Sequence, residues 1–263
     1  MWSKAVFLRR FHRLVAGGAI VVLPCAIHAQ GAAPFEVNGK VALEALISLG
    51  DAHLQKLSDV LGIVAGTADV RSGDWVRIRP RLVEASSINV PAVFWYALPD
   101  GRYWTVPEGL SARPLSDRPY FSHLLAGERV VGTLVVSRST NRNTAIVAVP
   151  VRGKGGEIVG AIGGSVHLDT LTEMLRRELG GLDRDHIFFA VGEDGRGALN
   201  SDPALIFTEP MKLGDEEMRR AFRDMLASES GVVSYSFRGT RRTVVYRRSS
   251  ITGWRYGFGV SRR

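Results

Sequence analysis

An amphipathic pattern at helical spacing marks the beginning of the part of the chain that we expect to fold. Apolar side chains recur at helical intervals across residues 43–64, while charged residues such as Glu44 and Asp59 lie mostly on other faces. This spacing predicts one long helix over residues 40–65, with Asn38 as its N-terminal cap. We expect the apolar stripe to pack on the helix's own domain, with a dimer seam as the alternative. The stripe consists of Leu43, Leu46, Ile47, Leu54, Leu57, Leu61 and Val64.

A β-hairpin pattern occurs twice farther along the chain. The aromatic run 93–98 leads into the turn 99–101 and a second run at 102–106. The run 187–191, followed by Asp194-Gly195-Arg196, repeats this order at an offset of 94 residues from Asp100-Gly101-Arg102. An Asp-Gly pair between two such runs is a strong hairpin signal. Repetition at a fixed offset indicates two copies of one α/β unit, of which the second is shorter and should have the smaller pocket.

Further helical and strand patterns complete each copy of that unit. Helices are predicted at 73–85 (kinked or split by Pro80), 118–126, 168–179 and 215–228. Strands are predicted at 130–136, 144–151, 159–166, 232–237, 242–246 and 256–260. The predicted fold class is α+β: a long N-terminal helix followed by two lobes, each a mainly antiparallel sheet flanked by helices.

The first 29 residues have the order of a secretory signal peptide. Four basic residues precede an apolar stretch at 14–27, and Ala-Ile-His-Ala occupies 26–29. The apolar stretch is shorter than the ~20 residues that a membrane-spanning helix needs. We therefore predict a signal peptide at 1–29, cleaved after Ala29, and a linker at 30–37. An uncleaved membrane anchor is the main alternative.

Cysteine usage and charge narrow the class of protein. Cys25 is the only cysteine, so the mature chain can form no disulfide and use no thiol nucleophile. Acylation of Cys25 as a lipoprotein is a weak alternative, because Leu23-Pro24 fits a lipobox poorly. The net charge of +8 becomes +4 without the four basic residues of the leader. The remaining basic residues are mostly interspersed with acids, so no nucleic-acid partner is expected.

Several short motifs follow one another in a fixed order from about residue 40 onward. They are Tyr96 to Gly101, Leu115 to Phe121, Ala148 to Val151, Gly156 to Gly164, Asp194-Gly195, Asn200 to Pro203 and Thr252-Gly253-Trp254. In order and spacing they resemble the double Cache family of extracytoplasmic sensors. The resemblance implies two PAS-like lobes: a membrane-distal lobe at 38–180, long helix included, and a membrane-proximal lobe at 181–263. It also implies ligand binding in the distal lobe.

The same resemblance sets the expected function. Family members are mostly sensing regions of chemoreceptors, histidine kinases and cyclic-dinucleotide enzymes. No second hydrophobic span or output domain precedes Arg263, so we expect a periplasmic or extracellular sensor module that signals through a membrane receptor or kinase. One alternative is a sensor anchored in the inner membrane that dimerises through its long helix. Another, of a different class, is a secreted hydrolase with an unrecognised site.

The resemblance also identifies the most promising ligand-binding residues. Arg118 and Tyr120 match an Arg-x-aromatic motif that holds the ligand carboxylate in amino-acid-binding relatives, and a guanidinium can donate two parallel hydrogen bonds to a carboxylate. Ser165 stands where those relatives have an aspartate for the ligand ammonium, so we expect a small polar or anionic solute. Asp169 should only start the following helix. Other candidate ligand contacts are Trp95, Tyr103, Trp104, Arg138, Thr140 and Asn143.

Structural roles are the alternatives for these side chains. Each aromatic residue has core packing as its alternative, and the run 93–98 alternates between two sheet faces, of which only one can reach a ligand. Arg118 has a salt bridge to Asp117 or Glu128 as its alternative. Arg138 can also be a plain surface residue.

The sequence predicts no catalytic, metal or cofactor site. Ser165, His167 and Asp169 would share one strand face about 6–7 Å apart, whereas a nucleophile and its base lie about 2.6–3.2 Å apart. The histidines of the mature chain are far apart in sequence and lack metal-ligand spacing. The glycines at 153–156 and 160–164 lack phosphate-binding signatures, and turns and sheet packing explain them. We therefore expect a protein that is not an enzyme.

Overall fold

The structure, a computed structural model, describes residues 38–180, 182–183 and 185–262. The predicted signal peptide and linker lie outside these residues. The helices are α1 (Gly39–Ala65), α2 (Ala68–Arg71), α3 (Trp75–Ser87), α4 (Pro119–Leu125), α5 (Leu168–Leu179), α6 (Pro210–Leu213) and α7 (Glu216–Ala227), with a 3₁₀ turn at Pro203–Leu205. The strands are β1 (Ala92–Ala97), β2 (Tyr103–Thr105), β3 (Gly109–Leu110), β4 (Val130–Val136), β5 (Asn143–Arg152), β6 (Ile158–His167), β7 (His186–Val191), β8 (Gly197–Asn200), β9 (Ser230–Phe237), β10 (Thr240–Arg248) and β11 (Arg255–Arg262).

Two antiparallel sheets form the centres of two lobes. The sheet of the first lobe has the order β3-β2-β1-β6-β5-β4, and that of the second lobe has the order β8-β7-β11-β10-β9. Apart from the two-residue strand β3, the two orders are the same when strands are numbered within each lobe. The predicted α+β class, with a long helix and two antiparallel lobes, is confirmed.

The two Asp-Gly hairpins match at the level of individual hydrogen bonds. In the first lobe the backbone N–H of Arg102 donates to Asp100 Oδ1 at 2.9 Å. In the second lobe Arg196 N–H donates to Asp194 Oδ1 at 3.0 Å. The glycine after each aspartate has a positive φ, 89° in the first lobe and 80° in the second, which a residue without a Cβ adopts at little cost. The repeat found in the sequence is therefore a repeat of three-dimensional structure.

The long helix α1 is the element that both sheets share. It packs against β5 and β6 of the first sheet and against β10 and β11 of the second. With 27 residues it is about 40 Å long at 1.5 Å rise per residue. Asn38 caps it, because its side-chain oxygen accepts a hydrogen bond from Lys40 N–H at 3.0 Å. The predicted stripe packs on the helix's own domain, as six of its seven side chains are buried and Val64 is partly buried.

The two faces of β1 belong to different cores. Phe94 and Tyr96 pack into the core beneath α1, whereas Trp95 and Ala97 belong to a separate core on the opposite face of the sheet. Alternation along a strand requires this division, but only the structure shows which set faces the helix. The face that carries Trp95 is called here the outer face of the first sheet.

A buried indole joins the two lobes directly. Trp254, just before β11, donates its Nε1–H to the carbonyl oxygen of Gly132 in β4 at 2.9 Å. The register of β4 shifts between Val131 and Thr133, and Gly132 in that bulge has a φ of 90°. A bulge leaves backbone groups outside the sheet ladder, so this carbonyl can accept a bond from the other lobe.

Of the two effects predicted for Pro80, a kink or a split of the second helix, the split does not occur. Helix α3 continues across Pro80 as one element, although proline removes a helical hydrogen bond. Burial of Ile78, Leu82 and Ala85 along one face offsets that loss. Among the described residues, none of the helices combines the length and apolar character needed to cross a bilayer.

Candidate ligand site

The outer face of the first sheet forms the floor of the candidate site. The strand register aligns Trp95 with Thr105 on β2 and with Gly163 on β6, and Ser165 follows on the same face. A Cβ on Gly163 would lie 2.3 Å from Trp95 Cζ2, far inside van der Waals contact. The glycine therefore allows the indole ring to lie against the sheet, which agrees with the predicted packing role of these glycines.

The start of α4 places two of the predicted residues over this floor. Arg118 is the N-cap residue, with an extended backbone, and Pro119 occupies the first turn, where its missing N–H costs nothing. Tyr120 is then turned into the outer-face core and is buried. Burial raises the pKa of the Tyr120 hydroxyl well above its usual value, although the nearby Arg118 and Arg138 cations oppose the rise. The phenol therefore stays protonated and neutral.

Two arginines from distant parts of the sequence converge on the site. Arg118 Nη2–H donates to the carbonyl oxygen of Val136 at 2.9 Å. Arg138 donates to Asp117 Oδ2 at 2.5 Å and to the carbonyl oxygen of Pro114. The hydrogen bond with Asp117 raises the pKa of Arg138, and the same bond lowers the pKa of Asp117.

The structure does not pair Arg118 with either predicted carboxylate. Asp117 bonds to Arg138, and Glu128 lies 2.7 Å from His123 Nδ1. The structural alternative for Arg118, a salt bridge to Asp117 or Glu128, is therefore wrong. The guanidinium of Arg118 is held by a neutral carbonyl, so its positive charge is available to a ligand.

An inner cavity lies between these side chains and the sheet. Its volume is about 20 Å³, enough for about one water molecule. None of the residues that line it, all within the described ranges, carries a carboxylate. The lining residues are Trp95, Tyr103, Thr105, Leu115, Arg118, Tyr120, Val135, Ser137, Arg138, Ser139, Ile146 and Ser165.

An outer groove adjoins the inner cavity on the solvent side. It has a volume of about 760 Å³ and shares Arg118, Ser137, Arg138 and Ser139 with the cavity. The shared residues form the boundary between groove and cavity. A solute that approaches from the groove therefore meets both guanidinium groups before it reaches the sheet.

Six of the nine predicted ligand residues line the inner cavity. They are Arg118, Tyr120, Trp95, Tyr103, Arg138 and Ser165. Trp104 lies elsewhere: it pairs with Tyr96 in the register and stacks on Tyr96 and Trp75, with ring centroids 6.1 and 6.3 Å away. Strand alternation explains this, because Trp104 falls between Tyr103 and Thr105 and points to the side of α1.

Thr140 and Asn143 lie near the site without lining it. Thr140 belongs to the turn between β4 and β5, where its N–H donates to Ser137 Oγ at 3.3 Å. Asn143 is the first residue of β5 and pairs with Val136. Sequence reasoning missed Ser137 and Ser139, whose alternation with Val135 is the signal that could have found them. Ser137 is buried, and its hydroxyl lies 3.2 Å from that of Ser139.

Asp169 takes no part in the inner cavity. It lies in the first turn of α5, as predicted, and both its carboxylate oxygens accept from Arg142 Nη2, at 2.5 and 2.6 Å. Burial lowers the pKa of His167, and the nearby Arg142 adds to this shift. Among the described residues, no hydrogen bond joins His167 to Ser165 or Asp169, as a catalytic triad would require. The same part of the chain contains no cluster of three or more side chains suited to holding a metal ion.

The chain was compared with known proteins by sequence and by structure. No protein-family model matches it, and no curated protein matches it significantly. Solved structures do match. An extracellular ligand-binding receptor from Desulfohalobium retbaense superposes with a TM-score of 0.69 at 13% identity, over 86% of this chain and 41% of that one. This chain therefore spans less than half of that receptor.

In two further structures the match covers most of both chains. The ligand-binding domain of the Pseudomonas aeruginosa amino acid chemoreceptor PctB, in complex with L-Arg, has a TM-score of 0.62 at 16% identity, over 85% of this chain and 92% of that one. The extracellular domain of the histidine kinase rpHK1S-Z16 has a TM-score of 0.66 at 17% identity, over 84% and 92%. This chain has the double Cache fold. At such low identities the double Cache likeness shows architecture, and function has to be argued from the site.

Proposed function

We propose that this double Cache chain is an extracytoplasmic sensor module that binds a small anionic solute in its first lobe and signals through a partner protein. The observation that carries the proposal is the convergence of Arg118 and Arg138 on a cavity whose lining contains no carboxylate. The fold supports it, because solved proteins of this architecture include a chemoreceptor ligand-binding domain and a histidine kinase extracellular domain.

The charge of the lining favours an anion over an amino acid. PctB has been solved with L-Arg, and the chemoreceptor CtaA of Pseudomonas fluorescens with L-isoleucine. An amino acid brings an ammonium group, which is costly to bury without a carboxylate partner. Ser165 offers only a hydroxyl at the relevant position. A carboxylate or similar oxyanion without an ammonium group fits the two guanidinium groups better.

Binding requires the site to rearrange, because the inner cavity of about 20 Å³ is too small for an organic anion. The bonds that close it are those from Arg118 to the Val136 carbonyl and from Arg138 to Asp117. An anion that enters from the groove replaces the Val136 carbonyl and the Asp117 carboxylate as hydrogen-bond acceptors, one at a time. It shifts the population toward the open lobe only by the difference between its affinities for the two states.

The long helix α1 is the proposed output element, because it contacts both sheets. A change at the first sheet would move α1, and a membrane receptor or kinase would respond to that movement.

The proposal includes export, with cleavage after Ala29. The intact mass of the protein recovered from the periplasm tests this: loss of residues 1–29 supports cleavage, and their retention supports the anchored alternative.

A thermal-shift screen with a matched variant tests the binding proposal. The probes are mono- and dicarboxylates, phosphate esters and amino acids, each at high concentration. A ligand at ~100 times its dissociation constant stabilises the folded state by ~2.7 kcal/mol. We expect an anion to give the largest shift and Arg118→Ala to reduce it strongly. Arg177→Ala, on the exposed surface of α5, is the control that should retain it.

Two results would overturn the binding proposal. Arg118→Ala could respond to the anion as the wild type does, or amino acids could be the class that stabilises most. Circular dichroism without added ligand establishes that each variant is folded. The shifts are then attributable to binding.

A further inference from the structure

A second cavity lies between α5, the last helix of the first lobe, and the end of the second-lobe sheet. Its volume is about 290 Å³, which approaches the size of small-molecule sites. It shares no lining residue with the inner cavity or the outer groove of the first lobe. Among its lining residues are Arg176 on α5, His186 at the start of β7, Asn200 and Ser201 at the end of β8, and Arg242 on β10.

Unsatisfied donors of two arginines surround this cavity. Arg176 donates through Nη2 to the carbonyl oxygen of Ser201, while its buried Nε has no hydrogen-bond partner among the described residues. The Nε of Arg242 is likewise buried and unpartnered there. Glu173 Oε2 is 3.9 Å from Arg176 Nε, beyond hydrogen-bonding distance. Buried donors of this kind call for an explanation, and an arginine can be satisfied only by acceptors.

A histidine adds a third polar group with the same deficit. His186 stacks on Phe258, with ring centroids 5.6 Å apart, and its buried Nδ1 has no hydrogen-bond partner in the described part of the chain. Asp183 Oδ2 lies 3.8 Å from it, on a side chain that is 84% exposed. Asp202, also in the lining, is already occupied, since it accepts bonds from Ala204 N–H at 3.1 Å and from Arg238 at 3.0 Å.

The cavity adjoins the repeat counterpart of the first-lobe site. Phe189 on β7 pairs with Asn200 on β8 and with Gly257 on β11, as Trp95 pairs with Thr105 and Gly163 in the first lobe. The two sites therefore share one edge of the repeated sheet, whereas the counterparts of Val135, Ile146 and Ser165 do not line the second cavity. The arginines of the two sites come from different elements. Arg176 and Arg242 therefore do not occupy the positions in the repeat that correspond to Arg118 and Arg138.

We infer that the cavity between α5 and the second sheet is a separate anion site, for a small oxyanion such as a carboxylate or phosphate bound by Arg176 and Arg242. The oxyanion accepts from the buried Nε–H groups of Arg176 and Arg242, and the amide of Asn200 and the ring of His186 complete the polar wall. The aromatic ring of Phe188 limits the guest to a compact molecule. This site is independent of the solute proposed for the first lobe.

Calorimetric titration with inorganic phosphate and with malonate tests the inference, in an Arg118→Ala background that leaves the second lobe intact. We expect saturable binding of at least one probe, and the preferred probe distinguishes phosphate from carboxylate chemistry. Arg242→Gln and Arg176→Gln should each weaken binding about tenfold or more, because each removes a charge-assisted hydrogen bond. Arg241→Gln is the matched control, since Arg241 lies on the opposite face of β10 and bonds to Glu217.

The outcomes are distinguishable from failure of the first-lobe proposal, because Arg118 is already absent. Absence of saturable binding of both probes overturns the inference. Unchanged binding in Arg242→Gln, with that variant shown to be folded by circular dichroism, overturns it as well. If Arg242→Gln does not fold, Arg242→Lys retains the charge without the planar fork and should still weaken binding more than Arg241→Gln does.

Discussion

The two lobes have the same sheet order, but their outer faces are filled differently. In the first lobe that face carries polar groups and two arginines around a cavity. In the second lobe the corresponding face is an apolar core, in which the ring of Phe222 lies 5.5 Å from that of Phe189 and 5.4 Å from that of Tyr235. By register, the residues Trp95, Thr105, Val135, Ile146 and Ser165 correspond to Phe189, Asn200, Tyr235, Val244 and Gly259.

The covering helices account for much of this difference. Helix α4 has 7 residues, and its buried side chains are Tyr120, Phe121 and Leu124. Helix α7 has 12 residues and buries Met218, Ala221, Phe222 and Met225. The longer amphipathic helix covers more of its sheet with apolar side chains and leaves less room at the centre of that face. One scaffold can therefore use the centre of the same face for ligand binding in one lobe and for stability in the other.

The largest effect should come from truncating an aromatic side chain of the second-lobe core. Phe222→Ala removes a buried ring between Phe189 and Tyr235 and should lower the free energy of unfolding by about 3–5 kcal/mol. Ser165→Ala on the equivalent face of the first lobe should cost less than about 1 kcal/mol. Urea denaturation of both variants measures the difference. Similar losses in the two variants would contradict the division of roles between the lobes.

Gly163 and Gly257 occupy equivalent positions in the two lobes. Substituting them compares the lobes again, with a smaller expected effect on stability. A Cβ on Gly257 would lie 2.6 Å from Phe189 Cζ, and one on Gly163 would lie 2.3 Å from Trp95 Cζ2. Gly257→Ala should cost about 1–3 kcal/mol of unfolding free energy, because Phe189 is held in place by the core behind it. In Gly163→Ala the indole can shift into the inner cavity, so the stability loss should be smaller and ligand binding should suffer more.

Thermal unfolding with and without the anion selected by the screen measures both quantities. We expect Gly257→Ala to melt at a lower temperature but to keep its ligand-induced shift. Gly163→Ala should lose most of that shift. If Gly257→Ala instead loses the ligand-induced shift and Gly163→Ala keeps it, the stabilising ligand binds in the second lobe and not in the first.

The smallest effect concerns how α1 meets each lobe. Against the sheet of the first lobe the contact is apolar, as Leu57 lies over Gly164. Against the second lobe it is polar: Asp51 accepts a bond from Ser249 Oγ at 2.8 Å and from Tyr256 Oη at 3.5 Å. Burial raises the pKa of Asp51 above its ordinary 3.8, although these two hydrogen bonds and the nearby charge of Arg247 oppose the rise.

Because the pKa of Asp51 is raised, the contribution of this contact between α1 and the second lobe to the free energy of unfolding should fall as pH rises. The folded chain holds the Asp51 proton more tightly than the unfolded chain, so this contribution to stability is largest below pH 3.8 and is lost as pH rises through the folded pKa. Asp51→Asn should remove that contribution and flatten the pH dependence of the unfolding free energy. Denaturation at a series of pH values from 4 upward, on wild type and variant, measures the difference. An unchanged slope would show that Asp51 titrates as it does in the unfolded chain.

Much of the fold could be read from local sequence patterns. The stripe of α1, the two Asp-Gly hairpins and the offset between them depend on residues close in sequence, and the strands lie within a few residues of their predicted positions. Six of nine candidate ligand residues line the cavity. They could be identified because the motif at Arg118 and Tyr120 and the strand at Trp95 also depend on residues close in sequence. Trp104 was misplaced because the face of a strand that meets α1 is not a local property.

The amino-acid sequence by itself determined the repeated order of elements, the long shared helix and the presence of arginines near the first-lobe face. Only the tertiary structure decided that Asp117 binds Arg138 and not Arg118, that the inner cavity has room for about one water molecule, and that Arg176 and Arg242 line the same second cavity. These outcomes depend on sheet register and helix packing, which bring together residues tens of positions apart. Periodicity along the chain encodes which face a residue prefers, but not which distant residue it will meet there.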